Sequence, residues 1–273
     1  GLGGVGRKLG REQLQGASQL EVVSSVSVGY DNYDVPYFNE RGIMLTNTPD
    51  VLTESTADLA FALLMSSARR VAELDAWTKA GQWKASVGAP LFGCDVHGKT
   101  LGIVGMGNIG AAVARRGRLG FNMPILYSGN SRKPALEQEL GAQFRSLDQL
   151  LAEADFVCPV VPLSDKTRHL ISTRELGLMK SSAILINISR GPVVDEPALI
   201  QALQTQRIRG AGLDVYEREP LSESPLFQLS NAVTLPHIGS ATTETREAMA
   251  TRALDNLRSA PLGPRPQHLV DPQ

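Results

Sequence analysis

The sequence has little cysteine and no excess of either charge. Its 273 residues include two cysteines, Cys94 and Cys158, and neither lies in a C-x-x-C or histidine-rich context. This pattern indicates neither a disulfide framework nor a metal site, and Cys158, inside an apolar run, is expected to be a buried thiol. With 27 Lys and Arg against 28 Asp and Glu, the charge balance argues against a nucleic acid or an anionic membrane as a partner.

Long apolar runs are also missing. The longest, A-D-L-A-F-A-L-L-M, is too short to cross a bilayer core of about 30 Å, and no charged leader precedes an apolar signal core. We therefore expect a cytoplasmic protein. The length of 273 residues and the 42% of hydrophobic residues favour two domains, each with its own core.

The order of the apolar runs predicts an α/β protein with a doubly wound parallel sheet. From about residue 99, short β-rich runs alternate with helical stretches, as in βαβ units. A long helix is predicted from Thr53, with Leu59, Leu63 and Leu64 on its apolar face, and Ser172 and Asp195 are predicted to cap two later helices. Six strands are predicted, over residues 100–104, 124–127, 156–161, 183–188, 209–215 and 232–235.

The two ends of the chain differ from this middle region. Residues 1–50 contain two short apolar runs, which indicate part of a smaller α/β domain. We assign residues 51–241 to the domain with the doubly wound sheet. Residues 242–273 are predicted to form a helix and a tail that return to the smaller domain.

The pattern G-x-G-x-x-G occurs twice, at residues 1–6 and 105–110. The second copy follows the strand T-L-G-I-V and opens the helix N-I-G-A-A-V-A-R-R, as a dinucleotide-binding loop requires, because the helix amides then face the pyrophosphate. The first copy follows no strand, and we interpret it as a flexible start. The predicted cofactor contacts are Gly105, Gly107, Asn108, Ile109 and Gly110.

The loop after the next predicted strand favours NADP over NAD. About twenty residues on, a carboxylate would bind the free 2′-hydroxyl of NAD, but residues 128–133 read S-G-N-S-R-K. No carboxylate in this loop repels a 2′-phosphate, and its polar groups can bind one, although an ordinary solvated loop has the same composition. We predict NADPH as the cofactor, with NAD used less well, and as ligands Ser128, Asn130, Ser131 and Arg132.

Three polar residues, Arg190, Glu219 and His237, each follow a predicted strand. Parallel strands end at a common edge, where ligands of open α/β sheets bind, so these side chains are candidates to meet around one small anion. For a 2-keto acid, Arg190 would bind the carboxylate and His237 would protonate the ketone oxygen, with Glu219 fixing the ring. Taken singly, each could be an ordinary surface residue. The other histidines, predicted to be structural, are His97, His169 and His268.

Four motifs in order, V-G-M-G-N-I-G, N-I-S-R-G, G-L-D-V-Y-E-R-E-P and L-P-H-I-G-S, make the chain similar to the D-isomer-specific 2-hydroxyacid dehydrogenases over essentially its whole length. G-F-N-M-P-I-L-Y and S-V-S-V-G-Y-D-N-Y-D look most like bacterial glyoxylate/hydroxypyruvate and 2-ketogluconate reductases. The resemblance implies an NADP-binding Rossmann domain and a flavodoxin-like substrate domain. Because members usually carry a longer N-terminal segment, we expect the substrate domain to be N-terminally incomplete.

The resemblance also implies roles for individual residues. It makes Arg190, Glu219 and His237 the catalytic set, with backbone amides around Val28 and Gly29 holding the substrate carboxylate. It implies a homodimer, formed largely through residues 73–98. Asp214 would anchor the nicotinamide amide, and the further cofactor contacts are Thr56, Pro162, Thr167 and Gly239.

Alternatives stay open within and beyond this enzyme class. A phosphoglycerate dehydrogenase would normally place an acid after the second strand of the dinucleotide fold, and formate dehydrogenases of this fold pair the histidine with Gln where this chain has Glu219. An NAD(H)-sensing protein like the corepressors of this fold would bind dinucleotide with little turnover. The loop at 128–133 is unexpected in such a protein.

Overall fold

The computed structural model describes residues 2–3, 8–260, 266 and 268–270. The chain divides into two compact units, Gly1–Ser55 with Ser240–Gln273, and Thr56–Gly239. The sequence placed these boundaries after residues 50 and 241. Among the described helices, none has both the length and the apolarity that a bilayer crossing requires.

The smaller unit contains a three-stranded parallel sheet in the order β1-β2-β3. The first G-x-G-x-x-G was interpreted as a flexible start. This is wrong for Leu2 and Gly3, which form β1 and pair with β2. Gly1, residues 4–7 and most of the predicted tail lie outside the described residues. The C-terminal helix packs on β2. The strands are β1, Leu2–Gly3; β2, Val22–Ser25; and β3, Met44–Thr46.

The larger unit is built on a seven-stranded sheet whose strands are all parallel. Their order is β10-β9-β8-β7-β4-β5-β6, and the predicted α/β class with a parallel sheet is confirmed. The strands are β4, Leu101–Val104; β5, Ile125–Ser128; β6, Gln143–Phe144; β7, Phe156–Pro159; β8, Ile184–Asn187; β9, Gly210–Leu213; and β10, Ala232–Thr234.

The prediction of six strands missed β6. This strand has two residues, both exposed, at the edge of the sheet, so it carries no apolar run. Pro159 lies inside the strand predicted over residues 156–161, where a proline removes a hydrogen-bond donor from the sheet. Pro159 is the last residue of β7. The amide of the next residue, Val160, donates to Val104 on β4, so the nitrogen of Pro159 faces the opposite neighbour, β8. The pairing of β7 with β8 already ends at Val157, so the missing donor leaves no gap in the sheet.

Helices cover both faces of this sheet, so its strands read as continuous apolar runs. Ile184 and Ile186 of β8 pack into the core beneath α2 and α4, while Leu185 packs into the core beneath α6, α7 and α8. Over the two units together, the described helices are α1, Val35–Glu40; α2, Thr53–Arg69; α3, Val71–Lys79; α4, Asn108–Arg115; α5, Pro134–Leu140; α6, Leu147–Glu153; α7, Thr173–Leu178; α8, Glu196–Gln204; and α9, Thr243–Ser259, of which α1 and α9 belong to the smaller unit.

The predicted helix signals correspond to helices in the structure. On α2, Leu63 and Leu64 are buried and Leu59 is half-buried. The amide of Ser172 donates to the Glu175 carboxylate at 3.1 Å at the start of α7. Asp195 accepts from the Ala198 amide at 3.1 Å and caps α8.

Candidate active site

The three residues predicted to be catalytic follow adjacent strands of the larger unit. Arg190 follows β8, Glu219 follows β9 and His237 follows β10, and these strands are neighbours in the order β10-β9-β8. Because the strands are parallel, their carboxyl ends share one edge of the sheet. The topology therefore places the three residues in loops at the same edge.

A short hydrogen bond joins the imidazole of His237 to the carboxylate of Glu219. Nδ1 of His237 lies 2.6 Å from Oε2 of Glu219, and the two side chains are 30% and 29% exposed. The backbone amide of Tyr216 donates to the other oxygen of Glu219 at 2.9 Å. Since Nδ1 is engaged by a fixed carboxylate, Nε2 is the ring nitrogen that can exchange a proton with a ligand.

The surroundings of Glu219 keep its carboxylate ionised. Burial raises its pKa, but the hydrogen bonds from His237 and the Tyr216 amide, with the charges of His237 and Arg190, outweigh burial and hold the pKa below its ordinary value. Arg190 is therefore close enough to act on Glu219 electrostatically. An ionised Glu219 stabilises a protonated imidazole.

The turn that carries Arg190 is folded by Asn187, the last residue of β8. The Asn187 side-chain oxygen accepts from the amide and the hydroxyl of Ser189 at 3.1 and 2.9 Å, and its NH₂ donates to the Arg190 carbonyl at 3.1 Å. Asn187 is 1% exposed, so these bonds are shielded from water. The N-I-S-R segment is thus a rigid turn.

Gly191 packs this turn directly against the segment that leads to Glu219. A Cβ added at Gly191 would lie 1.8 Å from the carbonyl carbon of Tyr216 and 2.4 Å from the amide nitrogen of Glu217. No side chain fits there. This contact was not predicted, although the glycine directly after Arg190 is a sequence signal for it.

Asp214 holds the backbone just after His237. Its two carboxylate oxygens accept from the amides of Ile238 and Gly239 at 2.7 and 2.8 Å, and the side chain of Thr56 donates to the Gly239 carbonyl at 3.1 Å. His237 has φ 55°, a left-handed conformation that non-glycine residues adopt only when their surroundings enforce it. Burial raises the pKa of Asp214, against the hydrogen bonds from those two amides. The contact predicted between Asp214 and the nicotinamide amide stays a prediction.

The second glycine-rich loop has the geometry of a dinucleotide site. Gly105 has φ 102°, and a Cβ there would lie 2.6 Å from the Val160 carbonyl; one at Gly110 would lie 2.3 Å from the Gly105 carbonyl. A Cβ on Gly107, in contrast, would meet nothing within 4 Å, so protein packing does not explain the glycine, whereas close approach of a pyrophosphate does. Gly107 precedes Asn108 and Ile109 of α4, and the loop lies beside β4, where the strand order reverses. These residues fit a dinucleotide.

The loop at 128–133 is tied to the glycine-rich loop, because the amide of Gly105 donates to the Ser128 carbonyl at 2.8 Å. The loop itself contains no carboxylate, as predicted, but one from outside the loop approaches it. Glu137 of α5 accepts from Nε and Nη2 of Arg132 at 3.0 and 2.6 Å. This contact was not predicted, because Glu137 lies in the following helix and not in the loop.

The remaining predicted residues fall into separate groups. Thr167 donates to the Pro162 carbonyl at 2.6 Å, so these two are neighbours. Val28 and Gly29 belong to the smaller unit, where the side-chain NH₂ of Asn47 donates to the Val28 carbonyl at 2.9 Å and the Ser27 hydroxyl to the Gly29 carbonyl at 2.7 Å. Their predicted role stays a prediction. The carbonyls are engaged in the fold, and their amides are the groups that the prediction uses.

The cysteines and the other histidines lie in ordinary structural settings. Cys158 is buried, as predicted, and burial raises the pKa of its thiol to about 12; both cysteines are free thiols. His169 pairs with Glu217 at 2.7 Å, and His268 lies 2.9 Å from Arg252. Among the described residues, no cluster of three His, Cys, Asp or Glu side chains is arranged to hold a metal ion.

The chain is similar to known proteins over most of its length. Residues 61–239 match the model of the D-isomer specific 2-hydroxyacid dehydrogenase NAD binding domain. Glyoxylate/hydroxypyruvate reductase B of Yersinia pestis (strain Pestoides F) is 54% identical over 274 residues, which cover 100% of this chain and 84% of that protein. A protein of Thermus thermophilus superposes with a TM-score of 0.92 at 45% identity, covering 99% of this chain and 85% of that one.

A second solved structure is that of an NADPH-dependent glyoxylate/hydroxypyruvate reductase from Sinorhizobium meliloti, in complex with NADP and malonate. It superposes with a TM-score of 0.90 at 35% identity, and the match covers 98% of this chain and 83% of that one.

Proposed function

The chain belongs to the D-isomer-specific 2-hydroxyacid dehydrogenases, and we propose that it reduces glyoxylate, hydroxypyruvate and 2-ketogluconate to the corresponding 2-hydroxy acids with NADPH, with the D configuration wherever the new carbinol carbon is a stereocentre. The names of the Yersinia and Sinorhizobium relatives support the first two substrates. The hydrogen bond of 2.6 Å between His237 and Glu219 carries the proposal, because it provides a proton donor at the sheet edge where a ligand would bind.

In the proposed reaction, the chain's own residues bind the keto acid and deliver one proton. Bound NADPH would supply the hydride that the keto carbon receives. Arg190 binds the substrate carboxylate through paired N–H groups and polarises the ketone. Nε2 of His237 donates its proton to the ketone oxygen, so that C=O becomes CH–OH, and Glu219 stabilises the imidazolium until the proton leaves.

The acid assignment is tested by replacing His237. We expect H237Q to lower kcat by about 10²- to 10⁴-fold, the usual contribution of a general acid, while NADPH affinity measured by fluorescence titration stays close to that of the wild type. H97Q serves as the matched control, because His97 is exposed and lies before β4, in a segment that contains none of the three catalytic candidates. Wild-type turnover in H237Q would exclude His237 as the proton donor.

The cofactor assignment is tested by steady-state kinetics on all three keto acids. We expect kcat/KM with NADPH to exceed that with NADH by at least about tenfold, which corresponds to about 1.4 kcal/mol. In R132A the preference should fall, because a guanidinium that can bind a 2′-phosphate is removed. A wild-type enzyme that prefers NADH would contradict the assignment.

We further propose that the enzyme is a cytoplasmic homodimer that associates through residues 73–98. Support comes from the apolar side chains that this segment exposes, Trp83 at 65%, Val87 at 43% and Phe92 at 59%. Exposed apolar side chains grouped in one segment are typical of interfaces. Free cysteines fit a reducing compartment.

A further inference from the structure

We propose that Glu137 is a positioning residue for cofactor selectivity, which holds Arg132 in the orientation that binds the 2′-phosphate of NADPH. The inference rests on the proposed use of NADPH. Glu137 lies outside the loop that the sequence assigns to the phosphate, and its side chain reaches Arg132 inside that loop. Its contacts with Arg132 and Tyr127 carry the inference.

The first observation is the geometry of the ion pair. Nε of Arg132 donates to Oε1 of Glu137 at 3.0 Å, and Nη2 donates to Oε2 at 2.6 Å. Two parallel hydrogen bonds fix the plane of the guanidinium as well as its position. The carboxylate engages one side of the group, so the N–H bonds of Nη1 and the second N–H of Nη2 are not used by Glu137. An acceptor such as a phosphate can use them.

The second observation is that Glu137 is itself anchored. The hydroxyl of Tyr127 donates to Oε1 of Glu137 at 2.5 Å, and the Lys133 amide donates to the same hydroxyl at 2.7 Å. Tyr127 is a residue of β5 and is 0% exposed. The chain of hydrogen bonds therefore runs from this buried side chain through Glu137 to Arg132. Because Lys133 closes the loop at 128–133, Tyr127 fixes both the loop and the carboxylate.

The third observation is the contrast in exposure. The Glu137 side chain is 18% exposed, whereas that of Arg132 is 67% exposed. An exposed arginine on a free loop would sample many rotamers, and ordering such a side chain on binding costs conformational entropy. Pairing with a partly buried carboxylate removes much of this cost before the cofactor arrives.

The same carboxylate also carries a charge that repels a phosphate. The carboxylate is paired with the Arg132 guanidinium, so much of its charge is offset within the ion pair, whereas the orientation of Arg132 is lost without it. We therefore expect orientation to dominate. The two effects have opposite signs in an experiment that removes the charge and keeps the shape.

Calorimetric titration with adenosine 2′,5′-bisphosphate and with 5′-AMP separates these effects, because the two ligands differ only in the 2′-phosphate. In E137Q the amide NH₂ faces an arginine N–H, so one bond of the pair is lost. We expect the bisphosphate to bind about three- to tenfold more weakly and 5′-AMP to bind as in the wild type. Y127F keeps every charge and removes only the anchoring hydroxyl, and we expect a loss in the same direction.

The matched control is E139Q. Glu139 lies on the same helix and forms a comparable double hydrogen bond with Arg115, at 2.7 and 3.1 Å, so this variant removes the same charge without touching Arg132. It should bind both ligands as the wild type does. Wild-type or tighter binding of the bisphosphate by E137Q or Y127F would overturn the inference.

R132A separates this inference from the proposed function. If R132A weakens bisphosphate binding and the Glu137 and Tyr127 variants do not, Arg132 binds the phosphate without help and only the positioning role fails. If R132A binds both ligands as the wild type does, Arg132 does not read the 2′-phosphate, and the inference fails together with that part of the proposed cofactor site.

Discussion

Two carboxylates act on His237 from different directions. Glu219 accepts a hydrogen bond from the ring, and Asp214 accepts from the two amides that follow the residue. Their pKa values move in opposite directions, that of Glu219 downward and that of Asp214 upward. The carboxylate that contacts the ring, Glu219, is thus favoured in its own charged form, whereas burial disfavours the charged form of Asp214, which binds the backbone.

The lowered pKa of Glu219 predicts a pH dependence of stability. A carboxyl group whose pKa is lower in the folded state stabilises the fold above its ordinary pKa of 4.5, and the contribution disappears as the pH falls through the lowered value. We expect the free energy of unfolding in urea to differ most between wild type and E219Q near pH 6, with the difference shrinking toward pH 3.5. A difference that stays constant over this range would argue against the lowered pKa.

Gly191 offers a steric test at the same site. In G191A the new methyl group collides with the backbone of Tyr216, so the turn that carries Arg190 must move. We expect a loss of about 1–3 kcal/mol in the free energy of unfolding, as for other overpacked positions, together with a lower kcat/KM. Gly177, where a Cβ meets nothing within 4 Å, provides the control G177A. Equal stability of both variants would contradict the tight contact.

At the scale of elements, the apolar pattern of the sequence predicted the buried strands and missed the short exposed one. Strands buried on both faces produce apolar runs, so β4, β5, β7, β8, β9 and β10 were found. The exposed pair that forms β6 has no such run. The sheet edge shared by the catalytic candidates followed from the topology of parallel strands, and the bond between His237 and Glu219 agrees with it.

Contacts that depend on side-chain reach were not predictable in the same way. The pairing of Glu137 with Arg132 depends on a strand residue, Tyr127, that lies beneath both. Likewise, the contact of Gly191 with Tyr216 joins segments after two different strands. No periodic pattern encodes either distance.

The cap of α8 gives a prediction at this scale. Asp195 accepts from the Ala198 amide at 3.1 Å and from the Ser172 hydroxyl at 2.7 Å, so it stabilises α8 and connects it to the start of α7. We expect D195A to reduce the free energy of unfolding by about 1 kcal/mol. D195N keeps an acceptor oxygen and should recover most of that loss in the same urea experiment. Equal losses in both variants would mean that the cap hydrogen bond is not responsible.

At the scale of the whole molecule, the proposed dimer forms through the segment at 73–98. A charge at Trp83 should be costly where the side chain is covered by a second copy and harmless where it faces water. We expect wild type to elute as a dimer, and W83E to shift toward a monomer, in size-exclusion chromatography with light scattering.

Phe227 provides the matched control for this experiment, because it is aromatic and 45% exposed but lies outside the segment. F227E should therefore assemble as the wild type does. A W83E protein that remains fully dimeric, or a wild type that is monomeric at micromolar concentration, would reject the proposed interface.

The bond from the Gly105 amide to residue 128 is made to a carbonyl oxygen, which every amino acid possesses. Side chains at 128–133 can therefore be exchanged without changing how the loop is attached to its neighbour. A graft that brings in an acidic residue after β5 would leave the pyrophosphate cradle intact. The residues that set the cofactor preference can therefore be exchanged independently of the rest of the site. Substitutions in this loop and at Glu137 alone should change the preference from NADPH to NADH.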